Sequence, residues 1–245
     1  MTHDTVLTSR GESSGAASSP KTWTHRPDHL HALRRRFVDA PDSMGQRFRA
    51  RRWQWLLETF PQLPEMSVVD LGGTADSWLR APVRPAAVHV VNLEEPPADL
   101  PPWLRADLAD ACDLPGRIAA TQYDLVVSNS VIEHVGGHHR RRRFAETVSG
   151  LADRYWVQTP YRYFPVEPHW LCPGVQFLPV AARARLVRHW PLVHTPLDSD
   201  EQALGAVLGV ELLSRTEMRT YFPDAELRSE KVAGLAKSLV AVRQS

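Results

Sequence analysis

Four short apolar runs, at residues 66–71, 87–93, 123–128 and 154–159, recur along the chain with helical patterning between them, and this alternation constrains the fold more than any other feature. Runs of this length, bounded by turn residues, suit strands buried on both faces. The first ends at Gly72 and Gly73, where a strand must leave through a tight turn. A weaker strand lies near 104–106, and helical stretches fall at about 75–81 and 138–152. Strands alternating with helices predict a parallel sheet with crossover helices on both faces. Towards the end, 216–222 reads as helix, while 225–232 and 238–243 read as strands that can form an antiparallel hairpin at the sheet edge.

Residues 1–22 are rich in Ser, Thr, Gly and Ala, have little to bury, and are expected to form a disordered tail. Residues 23–64 predict a helical cap. Leu30, Leu33 and Phe37, then Met44, Phe48, Trp55 and Leu56, follow helical spacing, with Asp42 or Ser43 as N-cap and Pro61 as the stop. The remainder, 65–245, reads as one α/β domain. Within it 160–210 breaks the rhythm with prolines, His169, Trp170, His189 and Trp190 and a helical piece at 180–189, as expected of an insertion.

Lys and Arg total 29 against 28 Asp and Glu, so no global field favours nucleic acid or anionic lipid. Arg140 to Arg143 are basic, but Phe144, Val148 and Leu151 continue at helical spacing, so the arginines read as the wet start of an amphipathic helix; nucleic acid is not an expected partner. No apolar run approaches the roughly 18 residues of a membrane span. Cys112 and Cys172 lack disulfide or metal-ligand spacing, which suits a reducing, cytoplasmic setting. Trp53, Trp55 and Trp78 read as packing residues.

Chemistry-bearing residues cluster just after the apolar runs. Asp70, Gly72 and Gly73 stand at the end of the first, Asn92 and Glu94 at the end of the second, Asp107 and Leu108 after the weak strand, and Ser128, Asn129, Glu133 and His134 at and after the end of the third. Open α/β sheets bind ligands outside these strand ends. In this order the segments resemble the motifs of class I S-adenosylmethionine-dependent methyltransferases of the bacterial small-molecule type. Thr74 and Asp76 stand where that family carries further glycines.

The resemblance implies a Rossmann-like α/β fold with a seven-stranded, mostly parallel sheet, an N-terminal helical cap and an insertion after strand five that faces the acceptor. It also implies S-adenosyl-L-methionine as cofactor. Asp70, Gly72 and Gly73 would form the first turn. Glu94, with Asn92 beside it, would meet the ribose, and Asp107 with Leu108 the adenine. Ser128 and Asn129 would close the site. The expected reaction is methyl transfer to a small hydroxylated acceptor, with N- or C-transfer and a non-catalytic nucleotide-binding module as alternatives. His134 or His169 is the expected general base, helped by Glu133. Glu133, His134, Glu167 and His169 can converge in space, so a divalent ion, Mg²⁺ before Zn²⁺ for want of cysteine ligands, is an option; it is not the expectation.

Overall fold

A computed structural model describes residues 43–193 and 195–245. The proposed tail, the first half of the helical cap and His194 lie outside the described residues. The cap's second helix, α1 (Met44–Thr59), starts where Ser43 accepts a hydrogen bond from the Gln46 amide at 3.2 Å. Ser43, rather than Asp42, is thus its N-cap.

The first half of the domain runs β1 (Ser67–Leu71), α2 (Ala75–Leu79), β2 (Ala87–Asn92), β3 (Leu104–Leu108), α3 (Gly116–Ala119), β4 (Leu125–Asn129), α4 (His138–Leu151) and β5 (Tyr155–Pro160), with every expected strand and helix in its place. The insertion holds a small hairpin, β6 (Val166–Glu167) with β7 (Cys172–Pro173), and two helices, α5 (Val180–His189) and α6 (Asp200–Leu208). The chain closes with α7 (Arg215–Tyr221), β8 (Glu226–Val232) and β9 (Leu235–Arg243). Of these, α3, the β6–β7 hairpin and α6 are not expected from the sequence pattern. The final strand also starts earlier than expected, because Ala233 and Gly234, with φ of 47° and 82°, turn the hairpin in two residues.

The seven strands lie in the order β3-β2-β1-β4-β5-β9-β8. Pairings from β3 to β5 are parallel, and β9 runs antiparallel to both β5 and β8. Strand order reverses direction between β1 and β4, the switch point where a parallel sheet opens a crevice at its C-terminal edge. Alternation along each strand feeds two cores. Val69, Leu71 and Val126 pack with Phe144, Val148 and Met218 beneath α4 and α7, while Val68, Val90 and Val127 pack with Leu56, Phe60 and Trp78 beneath α1 and α2.

The insertion has a third core of its own, built from Trp170, Cys172, Val175, Val187, Val193, Val207 and Leu212. Trp170, at 6% exposure, belongs to that core. The start of α4 is not uniformly wet either: Arg141 is buried and pairs with Glu211 and, at 3.6 Å, Glu217. Arg140, Arg142 and Arg143 pair with Asp110, Glu146 and Asp113. No described helix is long and apolar enough to cross a membrane.

Candidate active site

Between α1 and the C-terminal ends of β1 and β4 lies a cavity of about 820 Å³. Asp70, Gly72 and Gly73 line it with Asn129 and Ser130, and Trp53, Trp78 and Trp156 supply much of its apolar wall. The insertion contributes Phe164, Val166, Pro168, Leu171 and Leu192. Ser130 and Leu171 both adopt left-handed backbone, with φ of 58° and 53°. Such conformations in non-glycine residues persist only where the surroundings over-determine them.

The β1 turn needs its glycines. A Cβ on Gly73 would sit 1.8 Å from the Asp70 carboxylate, and Gly72, at φ +81°, would meet the Val131 side chain at 2.4 Å. Asn92 holds this turn from β2, donating to the Gly73 carbonyl at 2.6 Å, and accepts from the Leu93 amide. Thr74 caps α2 by accepting from Ser77, and the exposed Asp76 pairs with Arg80. The two departures from the glycine pattern therefore serve the start of a helix and a surface ion pair.

Asp70 is buried, and its Oδ2 accepts from the Trp78 indole at 2.7 Å while Oδ1 has no partner. Burial pushes its pKa up to about 7 against that hydrogen bond. Ser128 is buried below the floor, where it donates to the Leu71 carbonyl at 2.8 Å and ties β4 to β1. Glu94 and Leu108 are exposed and stand outside the cavity lining, further along the same sheet edge. Asp107 also stands outside it. Its oxygens accept from Arg117 at 2.7 Å and meet His89 at 2.9 Å; burial works against the ionised form, but these partners hold its pKa below the usual carboxylate value.

The turn after β4 and the loop after β5 meet in a second group. Glu133 is 1% exposed; its Oε2 accepts from Thr159 at 2.9 Å and its Oε1 has no partner. Burial pushes the Glu133 pKa up to about 7. His134 Nδ1 lies 3.0 Å from the Gly209 carbonyl, and a carbonyl can only accept, so this nitrogen carries a proton. His169 Nδ1 lies 2.6 Å from the buried Glu167 carboxylate. The two Nε2 atoms face each other at 3.0 Å. Although His134 is an exposed residue, desolvation of its engaged ring and the charge of His169 hold its pKa below the ordinary histidine value.

The sequence reading did not single out Arg52, Lys237, Ser130 or Phe164 as lining residues. Arg52 bonds to Gln158 at 3.1 Å and Glu230 at 3.4 Å. Lys237 lies over the Phe48 ring at 3.6 Å, and burial brings its pKa down to about 8 against the pull of Glu230. Arg52 sits on α1, Lys237 on β9, Ser130 just after β4 and Phe164 in the insertion, so no local motif joins them to the glycine turn. The tryptophans carried a signal, since Trp53 and Trp78 pack as expected while also lining the cavity.

No protein-family model and no curated protein sequence matches the chain. Solved structures do resemble it. A protein from Rhodobacter sphaeroides named for zinc-dependent alcohol dehydrogenases aligns over 80% of this chain and 90% of its own, at 14% identity and a TM-score of 0.50. One from Listeria monocytogenes named as an S-adenosylmethionine-dependent methyltransferase aligns over 80% and 99%, at 14% identity and 0.49. The magnesium protoporphyrin IX methyltransferase of Synechocystis PCC 6803, solved with bound S-adenosylmethionine, aligns over 89% and 92%, at 14% identity and 0.48. At these identities the likeness is one of fold: the chain carries the Rossmann-like α/β architecture that its own sheet order defines.

Proposed function

We propose that this chain is an S-adenosylmethionine-dependent methyltransferase whose acceptor is a small hydroxylated metabolite such as a sugar, polyketide or lipid. The observation that carries the reading is the cavity at the β1–β4 switch point, floored by a glycine turn with no room for a Cβ. That floor, with the unpartnered Asp70 oxygen beside it, fits a ligand that approaches the backbone closely. When bound, the sulfonium cofactor supplies a methyl group that is already activated.

Asp70, Gly72, Gly73 and Asn129 would hold the cofactor in the cavity. Glu94, Asp107 and Leu108 would serve its ribose and adenine from the exits of β2 and β3, while Asn92 and Ser128 position the turn. The chain's own work is then to align the acceptor and keep water out, which apolar walls from α1 and the insertion suit. An alcohol acceptor must also lose a proton. His134, or else His169, takes it, with Glu133 bracing the turn that carries His134. A lowered pKa leaves His134 neutral at pH 7 and able to accept. Glu133, His134 and His169 stand outside the cavity lining, close in the chain to Ser130 and Pro168, which belong to it.

Calorimetry with S-adenosylhomocysteine, followed by product detection across an acceptor panel, tests the proposal. Micromolar binding with methylated product supports it. Binding without turnover of any acceptor would leave a nucleotide-binding module, and methylated amines or carbons would move the acceptor class.

A further inference from the structure

His134 and His169 face one another in an arrangement that two neutral imidazoles do not tolerate. Each Nδ1 is committed to an acceptor, the Gly209 carbonyl for one and the Glu167 carboxylate for the other. Each neutral ring then carries its lone pair on Nε2, and those two atoms point at each other across 3.0 Å. An added proton or a metal ion between them relieves that clash. Beside them Glu133 presents a buried oxygen with no hydrogen-bond partner, and one ligand atom from each of the three side chains lies within 4.8 Å of the others. An unpartnered carboxylate oxygen in that position is costly unless something positive satisfies it.

We propose that Glu133, His134 and His169 form a binding site for a divalent transition-metal ion, with zinc as the representative. Ligands about 2.0–2.1 Å from a tetrahedral ion stand about 3.3 Å apart, so the two Nε2 atoms need to separate by only a few tenths of an ångström. Glu133 has further to travel. Outer partners orient every ligand: Glu167 fixes the His169 ring, the Gly209 carbonyl fixes His134, and Thr159 donates to Glu133. Metal-binding histidines are held in this way, through the nitrogen that does not ligate.

Two imidazoles and one carboxylate select a first-row transition ion over Mg²⁺, which demands oxygen ligands. Three protein ligands also leave a coordination position open, and His134 is exposed enough to admit an ion. The sequence could suggest the convergence but not this geometry, since the ligands come from two loops separated by all of α4 and β5. The inference does not depend on the methyltransferase reading; with an ion bound neither Nε2 could also accept a proton, and the ion would acidify an acceptor hydroxyl in place of a histidine base.

The test uses the full chain, stripped with chelator and titrated with Zn²⁺ by calorimetry and with Co²⁺ by visible absorption. One equivalent should bind, and Co²⁺ should give the intensified d–d bands of a low-symmetry nitrogen-ligated site. The His134→Ala/His169→Ala double variant should lose that equivalent, and Glu167→Gln should weaken it about 10- to 100-fold. If the double variant does not fold, the imidazole NMR signals of the wild-type protein decide, because zinc should shift those of His134 and His169. No stoichiometric binding by the wild-type chain would overturn the proposal and leave a shared proton as the cation. Binding that survives in a folded double variant, or imidazole signals unmoved by zinc, would overturn it equally. S-adenosylhomocysteine titrated into the same metal-free samples keeps the two readings apart, since either ligand can fail while the other binds.

Discussion

Two buried carboxylates stand at the C-terminal edge of the sheet, Asp70 beside the first glycine turn and Glu133 in the turn after β4. Burial pushes both to a pKa of about 7, and each has one oxygen bonded and one oxygen bare. They differ in who surrounds them. Asp70 bonds to Trp78, only eight residues on, within one strand–turn–helix unit. Glu133 is enclosed by Thr159 of β5 and by His169, which rides on the insertion. The first environment is written locally and the second is assembled from afar, which predicts separable defects: changes at the Asp70 turn should affect cofactor binding, and changes around Glu133 should affect turnover.

The sharpest way to break that separation is at the histidines. His134→Ala, or else His169→Ala where that ring is the base, should lower turnover by about 10²- to 10⁴-fold while S-adenosylhomocysteine affinity, read by calorimetry, stays near wild type. Equal loss of both quantities would merge the two regions into one site. The complementary change is Gly73→Ala, which drives a Cβ into the Asp70 carboxylate and should weaken cofactor affinity about 10- to 100-fold, the consequence of forcing a packed turn to shift. Gly150→Ala is its control, because a Cβ there meets nothing within 4 Å; affinity should not change, and helix α4 should gain about 0.5–1 kcal/mol.

A smaller effect probes the wall between the regions. Phe164→Ala should change acceptor kcat/KM about three- to tenfold and leave cofactor affinity intact, since the residue joins the cavity from the insertion. Steady-state kinetics on any acceptor the panel yields checks it; a cofactor defect instead would put the insertion on the wrong side of the cavity. The smallest effect is on stability against pH. The Asp70 pKa rises from 3.8 to about 7 on folding, so between those values the folded chain keeps a proton that the unfolded chain has lost. Stability should therefore fall as pH climbs through that window, and Asp70→Asn should flatten the fall by a few degrees in melting temperature. An unchanged pH profile in a folded variant would mean that Asp70 does not titrate in this range.

The same local-versus-distant distinction governs how much could be read in advance. The strand runs, the glycine turn, the helix at 180–189 and the terminal hairpin were legible because each is encoded by contiguous periodicity or turn chemistry. Asn92 illustrates the limit: the resemblance places it beside Glu94 at the ribose, but only the fold shows its amide donating to the Gly73 carbonyl. Helix α6 escaped notice because Ala203 and Val207 face the insertion's separate core, whose existence no single segment announces. Arg52 and Lys237 reach the cavity from α1 and β9, and only the folded sheet brings those elements together. The convergence of Glu133, His134 and His169 could be named from sequence as an option, but the commitment of each Nδ1 that aims the Nε2 atoms inward depends on where the fold puts the Gly209 carbonyl and the Glu167 carboxylate.

A region with its own hydrophobic core can come loose as a unit without melting the sheet beneath it. Among the contacts that hold the insertion to the scaffold are the Glu211 amide on the Glu133 carbonyl, Arg141 on Glu211, His134 on the Gly209 carbonyl, Arg162 on the Leu212 and Leu213 carbonyls and on Glu217, and the bridge between Tyr161 and Leu213. The histidine pair straddles the same seam, with His134 on the scaffold side and His169 on the insertion side. Opening the seam would part the two rings, and with them the proposed base and metal site, while every strand of the main sheet stayed paired.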